Sequence, residues 1–249
     1  MLETFAQFGP DFLKGLGTTL LLIAIAVPVG GIVALPVALG RLSSHRAVRQ
    51  FLGAYTYLFR GTPLLAQVFL VYYGAGYFRA ELSALGVWWL FRDAFWCAAI
   101  VFAANTSAYQ AEILRGAIAA VSRGQVEASH ALGLSRWTAF HRVVLPQAMI
   151  IALRPLGNEL VLMLKASSIA SVISVHELMG ATGRAFSRTF DFQFYIWAAI
   201  CYVLMVVAVR HVWDALERRV TRHLRTEPAL KLQTGPPRAL RPSAVTSEH

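Results

Sequence analysis

Residues 15–40 read GLGTTLLLIAIAVPVGGIVALPVALG, from Gly15 to Gly40, and hold no charged side chain. Lys14 precedes the stretch and Arg41 follows it, leaving 26 uncharged positions between them. One helical crossing of a hydrocarbon layer ~30 Å thick takes about 20 apolar residues. This stretch is long enough to cross once, and it sets the class of the whole chain. The composition agrees: of 249 residues, 57% are hydrophobic and 14% charged, with a mean hydropathy of +0.54. Average soluble domains carry roughly 25% charged residues, so a soluble globular enzyme is excluded, as is disorder outside the C-terminal end.

Charged residues mark the remaining spans. Arg60 to Arg79, Asp93 to Glu112 and Asp191 to Arg210 each enclose 18 uncharged positions. A further apolar region, Val143 to Val175, is interrupted by Arg154, Glu159 and Lys165. The expected fold is therefore all-α and polytopic, with five transmembrane helices near 14–40, 51–78, 93–114, 147–175 and 192–212. They form a single domain over 1–225. Pro28 with Gly30 and Gly31 is expected to bend the first span. No internal repeat is visible. Met1 to Pro10 has no positive region of the secretory-signal kind. Cys97 and Cys201 both lie in apolar runs and read as small buried hydrophobes.

Lys and Arg in the connections orient the spans. The segments 41–50, 112–148 and 210–249 together carry 15 of them, and the alternate set carries 5. This places the N-terminus outside and the C-terminus inside, and it accounts for the net charge of +10 without nucleic-acid binding. The stretch 226–249, with Pro228, Pro236, Pro237 and Pro242, reads as a disordered cytoplasmic tail.

Most information lies in the cytoplasmic loop 121–146. Ser122-Arg-Gly-Gln125 has the form of a capping box, a short helix can run to Leu132, and Gly133 fits the left-handed position that ends it. Ser135 can cap the next helix, which Pro146 is expected to limit. Small residues on the first helix let another protein's backbone approach closely, as a knob in a cleft. The alternative is an ordinary surface helix held on the headgroups by Trp137 and its arginines. The spacing resembles a known pattern. Glu127-Ala128-Ser129, three residues, Gly133, nine residues, then Val143-x-Leu145-Pro146 is similar to the EAA loop of ABC-type importer permeases. Ser129 replaces the second alanine and Val143 an isoleucine.

The resemblance continues along the chain. Arg60-Gly-Thr-Pro-Leu-Leu-Ala-Gln67 is similar to the RGTPLLxQ segment of the polar amino-acid uptake branch. Ser107-Ala-Tyr-Gln-Ala-Glu112-Ile-Leu-Arg-Gly116 resembles the end of that branch's third span. Asn158-Glu-Leu-Val-Leu-Met-Leu164 resembles the histidine/lysine/arginine/ornithine and octopine/nopaline subgroup, above all its M-type subunit. Lys165-Ala-Ser-Ser168 departs from the subgroup's more usual run.

The resemblance implies a bacterial inner-membrane subunit that pairs with a second permease, identical or of the Q-type. It implies an ATP-binding cassette ATPase dimer docked through Glu127, Ala128, Ala131, Gly133 and Leu134, and a periplasmic amino-acid-binding protein that delivers substrate. The chain has no Gly-Lys pair and hence no phosphate-cradling loop of the usual kind, so ATP and Mg belong to the partner and no cofactor is expected here.

Ionisable residues at membrane depth are expensive and mark function by default. Glu159 faces a hydrated path, where it would attract a cationic or α-ammonium group, or pairs internally with Arg60, Arg154 or Lys165, or is a solvated carboxylate that only packs the subunit interface. Asn158 lies beside it. Arg60 begins a segment in which Thr62 and Pro63 break the helix and free backbone carbonyls. Gln67 and Asn105 are either path residues or interhelical glue. The histidines have no metal-ligand spacing, so no metal site is expected. The rival function is a self-contained secondary transporter or channel for small polar solutes, which usually shows an inverted repeat.

Overall fold

In a computed structural model the structure describes residues 2–222, with side chains from Phe8 onward. The expected tail at 226–249 lies outside them. All regular structure among the described residues is helical. The chain opens with α1 (Leu2–Arg41), followed by α2 (Arg46–Gly61) and α3 (Leu64–Gly74). A 3-10 turn leads to the short α4 (Arg79–Ala84) and α5 (Trp88–Arg92), then the long α6 (Ala94–Ala119). Next come α7 (Arg123–Ala131) and α8 (Arg136–Ala139), which passes through a π turn into α9 (Leu145–Ala166). A 3-10 segment (Ser167–Ile173), α10 (Leu178–Thr189) and α11 (Gln193–Val220) complete the chain.

Three helical stretches are long and apolar enough to cross a membrane: Phe8–Arg41, Arg136–Ile173 and Gln193–Val220. α6 has 26 residues, but its middle carries Asn105, Thr106, Ser107 and Gln110, all buried. It is the central strut, with α1, α2, α3 and α9 packed around it. Alanines at 98, 99, 103, 108 and 111 keep its surface thin. Gly30 completes the fit. A Cβ there would meet the Thr106 methyl and lie 3.0 Å from the Ala103 carbonyl. α1 runs as one helix through Pro28, so Gly30 serves close approach to α6, the usual task of small residues between membrane helices.

Local chemistry sets the ends. Asp93 caps α6, its carboxylate accepting from Phe95 N at 2.8 Å. Ser135 caps α8 by accepting from Thr138 N. The expected span at 51–78 is interrupted. Thr62 is extended (φ −111, ψ 147) because the residue before a proline is driven out of the helical region, and α3 restarts beyond Pro63.

Two expectations in the loop fail. Ser122 occupies the N-cap of α7 but its hydroxyl makes no capping bond; the Gln125 amide donates instead to the Ser122 carbonyl at 3.1 Å. Pro146 does not limit the preceding helix. The backbone widens to π spacing at Phe140–Val144, with Leu145 N donating to Phe140 O. That widening eases the clash a proline makes with the carbonyl four residues earlier, so the helix runs on into α9.

Gly30→Val should loosen the α1–α6 contact, costing about 1–3 kcal/mol and lowering the melting temperature of the detergent-solubilised protein. Gly17→Ala, where a Cβ meets nothing within 4 Å, should leave it unchanged.

Candidate substrate path and docking helix

The break at Thr62–Pro63 strands backbone carbonyls within the bundle, and side chains answer them. Gln67 Nε2 donates to Phe59 O (2.9 Å), Thr62 O (3.2 Å) and Thr62 Oγ1 (2.7 Å). Asn105 Nδ2 donates to the same Phe59 carbonyl at 3.0 Å and to Gln67 Oε1 at 2.9 Å. Thr62, Gln67 and Asn105 thus form one knot that pins the broken segment to α6. Tyr55 adds a bond to Ala104 O at 2.9 Å.

Glu159 lies one helix away. It projects from α9 into the bundle at 6% exposure, and Oε1 accepts from Thr106 Oγ1 at 3.1 Å. Gln110 Nε2 donates to that same threonine oxygen and to the Val27 carbonyl, both at 3.1 Å. A polar relay therefore runs from α1 through α6 to α9. Glu159 has no ion-pair partner among the described residues; Arg154, one expected candidate, pairs with Glu217 at 2.9 Å. Asn158 does not share the Glu159 environment. Neighbouring residues on a helix point about 100° apart, and Asn158 turns to α11, where its Oδ1 accepts from Arg210 at 3.5 Å.

Arg60 lies over the Tyr109 ring, 5.2 Å from its centroid. It lines an open cleft of about 600 Å³ shared with Arg41, Arg49 and Glu112. Glu112 bridges Arg41 (3.0 Å) and Arg115 (2.8 Å), tying the end of α1 to α6.

Sequence reasoning missed Glu177. Its side chain is fully buried at the N-cap of α10 and accepts from Gly180 N (2.7 Å), Tyr202 OH (2.9 Å) and Thr19 Oγ1 (3.3 Å). Gly15 makes room: a Cβ there would stand 3.0 Å from the Glu177 carbonyl. The available signal was an acidic residue three positions before Gly180, at a helix start. Among the described residues, no group of three or more His, Cys, Asp or Glu could hold a metal ion.

α7 ends as its glycine foretells. Gly133 has φ +74, its amide donates to His130 O at 2.9 Å, and Leu134 N donates to Ser129 O at 3.1 Å. That pair of bonds is the Schellman arrangement. Ser129 is buried and bonds back to Val126 O at 2.6 Å, while Glu127, Ala128, Ala131 and Gly133 lie at the surface with Leu134 half-buried beneath them. Val126 and Phe140 pack on a cluster built from Ala34 and Val37 of α1, Ala111 and Leu114 of α6, and Ala148 and Ala152 of α9. The small exposed face is therefore joined to the bundle through α8, the π turn and the cluster on which Val126 packs.

Comparison with known proteins shows the family. Residues 14–226 match the family described as "Binding-protein-dependent transport system inner membrane component". The nopaline transport system permease protein NocM of Agrobacterium fabrum is 40% identical over 217 residues, 87% of this chain and 90% of that protein. The histidine/lysine/arginine/ornithine transport system permease protein HisM of Escherichia coli is 33% identical over 215 residues, 85% of this chain and 89% of its own length. A solved structure described as an amino acid ABC transporter with histidines superimposes with a TM-score of 0.77 at 35% identity, covering 88% of this chain and 98% of its own. The MetNI methionine transporter, at 17% identity and a TM-score of 0.70, shares the fold. The chain belongs to the binding-protein-dependent inner-membrane transport components, a multi-pass family of transport subunits rather than enzymes.

Proposed function

We propose that this chain is the permease subunit of an ATP-driven importer for basic amino acids or amino-acid-like opines. The observation that carries this is the small-residue face of α7, with the EAA-type spacing of Glu127 to Pro146, mounted on the cluster that joins α1, α6 and α9. The substrate class follows the transport names of the relatives.

The chain crosses the inner membrane five times, through α1, the broken α2–α3 segment, α6, α8–α9 and α11, with the N-terminus outside and the C-terminus inside. Fifteen basic residues on the inner connections against five outside support that orientation. One domain spans 1–225. An ATPase dimer holding ATP and Mg docks on the paired permeases, one of its copies meeting Glu127, Ala128, Ala131, Gly133 and Leu134 of this chain. Glu127 gives a charge-assisted contact, and the alanines set the approach distance. A second permease copy, identical or Q-type, completes the pore, and a periplasmic binding protein delivers substrate.

Closure of the ATPase dimer pushes α7. Because Val126 is seated on the α1–α6–α9 cluster, the push moves the bundle as a body and rocks it between outward and inward access. Glu159 supplies the acceptor for a cationic group when the relay through Thr106 opens. Arg60 lies at the inner cleft, and Asn158 lines the α9–α11 side. Thr62, Gln67 and Asn105 keep the broken segment in register beside that path.

In proteoliposomes holding the full assembly and its binding protein, uptake of labelled arginine should collapse on ATP depletion and survive a protonophore. The reverse pattern would mark an ion-coupled carrier. Ala131→Trp should cut uptake by about fivefold to 150-fold, the effect of a clash of about 1–3 kcal/mol, while the protein stays in the membrane. Glu159→Gln should reduce arginine uptake without moving the melting temperature. Asn105→Leu should do the opposite first, lowering the melting temperature by leaving Gln67 Oε1 without its Asn105 donor while the Phe59 carbonyl keeps Gln67 Nε2, a loss of about 1–3 kcal/mol.

A further inference from the structure

A second polar site lies on the α9–α11 side, where it shares Asn158 with the proposed path. α9 and α11 diverge around a cleft of about 350 Å³ lined by Arg154, Asn158, Arg210, Trp213, Asp214 and Arg218, among others. Its floor is built. Trp213 Nε1 donates to Leu153 O at 3.0 Å, and the indole lies where a Cβ on residue 157 would be, so only glycine fits there. Its rim is basic on balance. Arg154, Arg210 and Arg218 face Asp214 and Glu217, three positive groups against two negative, which leaves one positive charge. Arg154 is held by Glu217 at 2.9 Å, and Arg210 leans on Asn158 at 3.5 Å.

The surface leading to the cleft identifies its occupant. On α11, Ile196, Ile200, Val203 and Val207 are exposed at 51%, 44%, 61% and 45%. They repeat at helical spacing, and the same stripe continues as Arg210, Asp214 and Arg218. From Ile196 to Val207 the helix rises about 17 Å, close to the ~15 Å of hydrocarbon in one leaflet. A stripe of branched aliphatic residues does not suit a path for polar solutes. Ending in arginines and an interfacial tryptophan, it matches an acyl chain with its headgroup in the cleft.

We propose that the α9–α11 cleft binds the phosphodiester headgroup of a singly charged anionic phospholipid of the inner leaflet, its acyl chain lying along the Ile196–Val207 stripe. One net positive charge suits a phosphodiester better than a doubly charged soluble phosphate. The site rests on α9 and α11 being spans, and lipid retention is measured separately from transport.

The test uses the assembled transporter, full-length chain included, reconstituted in nanodiscs of equimolar phosphatidylglycerol and phosphatidylcholine. After extraction into detergent, retained lipid is counted by native mass spectrometry. Phosphatidylglycerol should be retained over phosphatidylcholine. Arg210→Gln with Arg218→Gln should lower that retention by roughly fivefold per arginine, and Asp214→Asn should raise it by a similar factor. Equal retention of the two lipids, as when a second permease copy covers the face, would overturn the proposal. Displacement of phosphatidylglycerol by millimolar inorganic phosphate would overturn it in favour of a soluble anion. Should the double variant fail to assemble, Asp214→Asn decides alone, and unchanged retention in it counts against the site.

Discussion

Every polar group that α6 carries into the bundle has to find its partner inside the bundle, because a hydrocarbon surround offers none. Asn105, Thr106, Ser107 and Gln110 are all buried, and each reaches a different neighbour. Asn105 holds the Phe59 carbonyl left by the break before α3. Thr106 holds Glu159 on α9. Gln110 holds the Val27 carbonyl of α1. Ser107 meets Tyr55 of α2. With the bond from Asn105 to Gln67 of α3, these bonds tie α6 to α1, α2, α3 and α9 and fix the register. Apolar contact alone would not, since one aliphatic face packs about as well as another against lipid-like surroundings.

The same constraint explains where the chain can be irregular. The interruption at Thr62–Pro63 is tolerated because Gln67 and Asn105 supply the donors that the helix lost. The π turn before α9 is tolerated because it absorbs Pro146 at the bundle's end. Glu177, buried at the start of α10, is satisfied from α1, α11 and its own helix together. The break lies beside Arg60 and its cleft, and the π turn connects α7, through α8, to the helix that carries Glu159.

Much of this was legible in the sequence. Arg41 fell at the end of the first membrane-length stretch, Phe8–Arg41, Asp93 fell at the cap of α6, and Gly133 foretold a left-handed turn that the structure holds at φ +74. Thr62-Pro63 announced the interruption. What was not legible depended on distance in space. Whether Glu159 meets a threonine or an arginine is decided by the packing of α6 against α9, which local pattern does not encode. Asn158 and Glu159 are adjacent in sequence and serve different faces. Ser122 had the right residue type for a cap, yet its hydroxyl is unused, because a nearby backbone carbonyl already receives the Gln125 amide. Glu177 has no local signal beyond its place before Gly180, since its burial is made by α1 and α11 closing over it.

If work enters through the exposed face of α7, the ATPase must lie within cross-linking reach of that face in the membrane. Ala131→Cys, in a background with Cys97→Ala and Cys201→Ala, is treated in native membranes with a short thiol-to-amine cross-linker. Ser187→Cys, on the exposed face of α10, serves as the comparison. Cross-linking of the ATPase from position 131 and none from position 187 is the expected result. Absence of the ATPase from position 131, or equal capture from both, would contradict it.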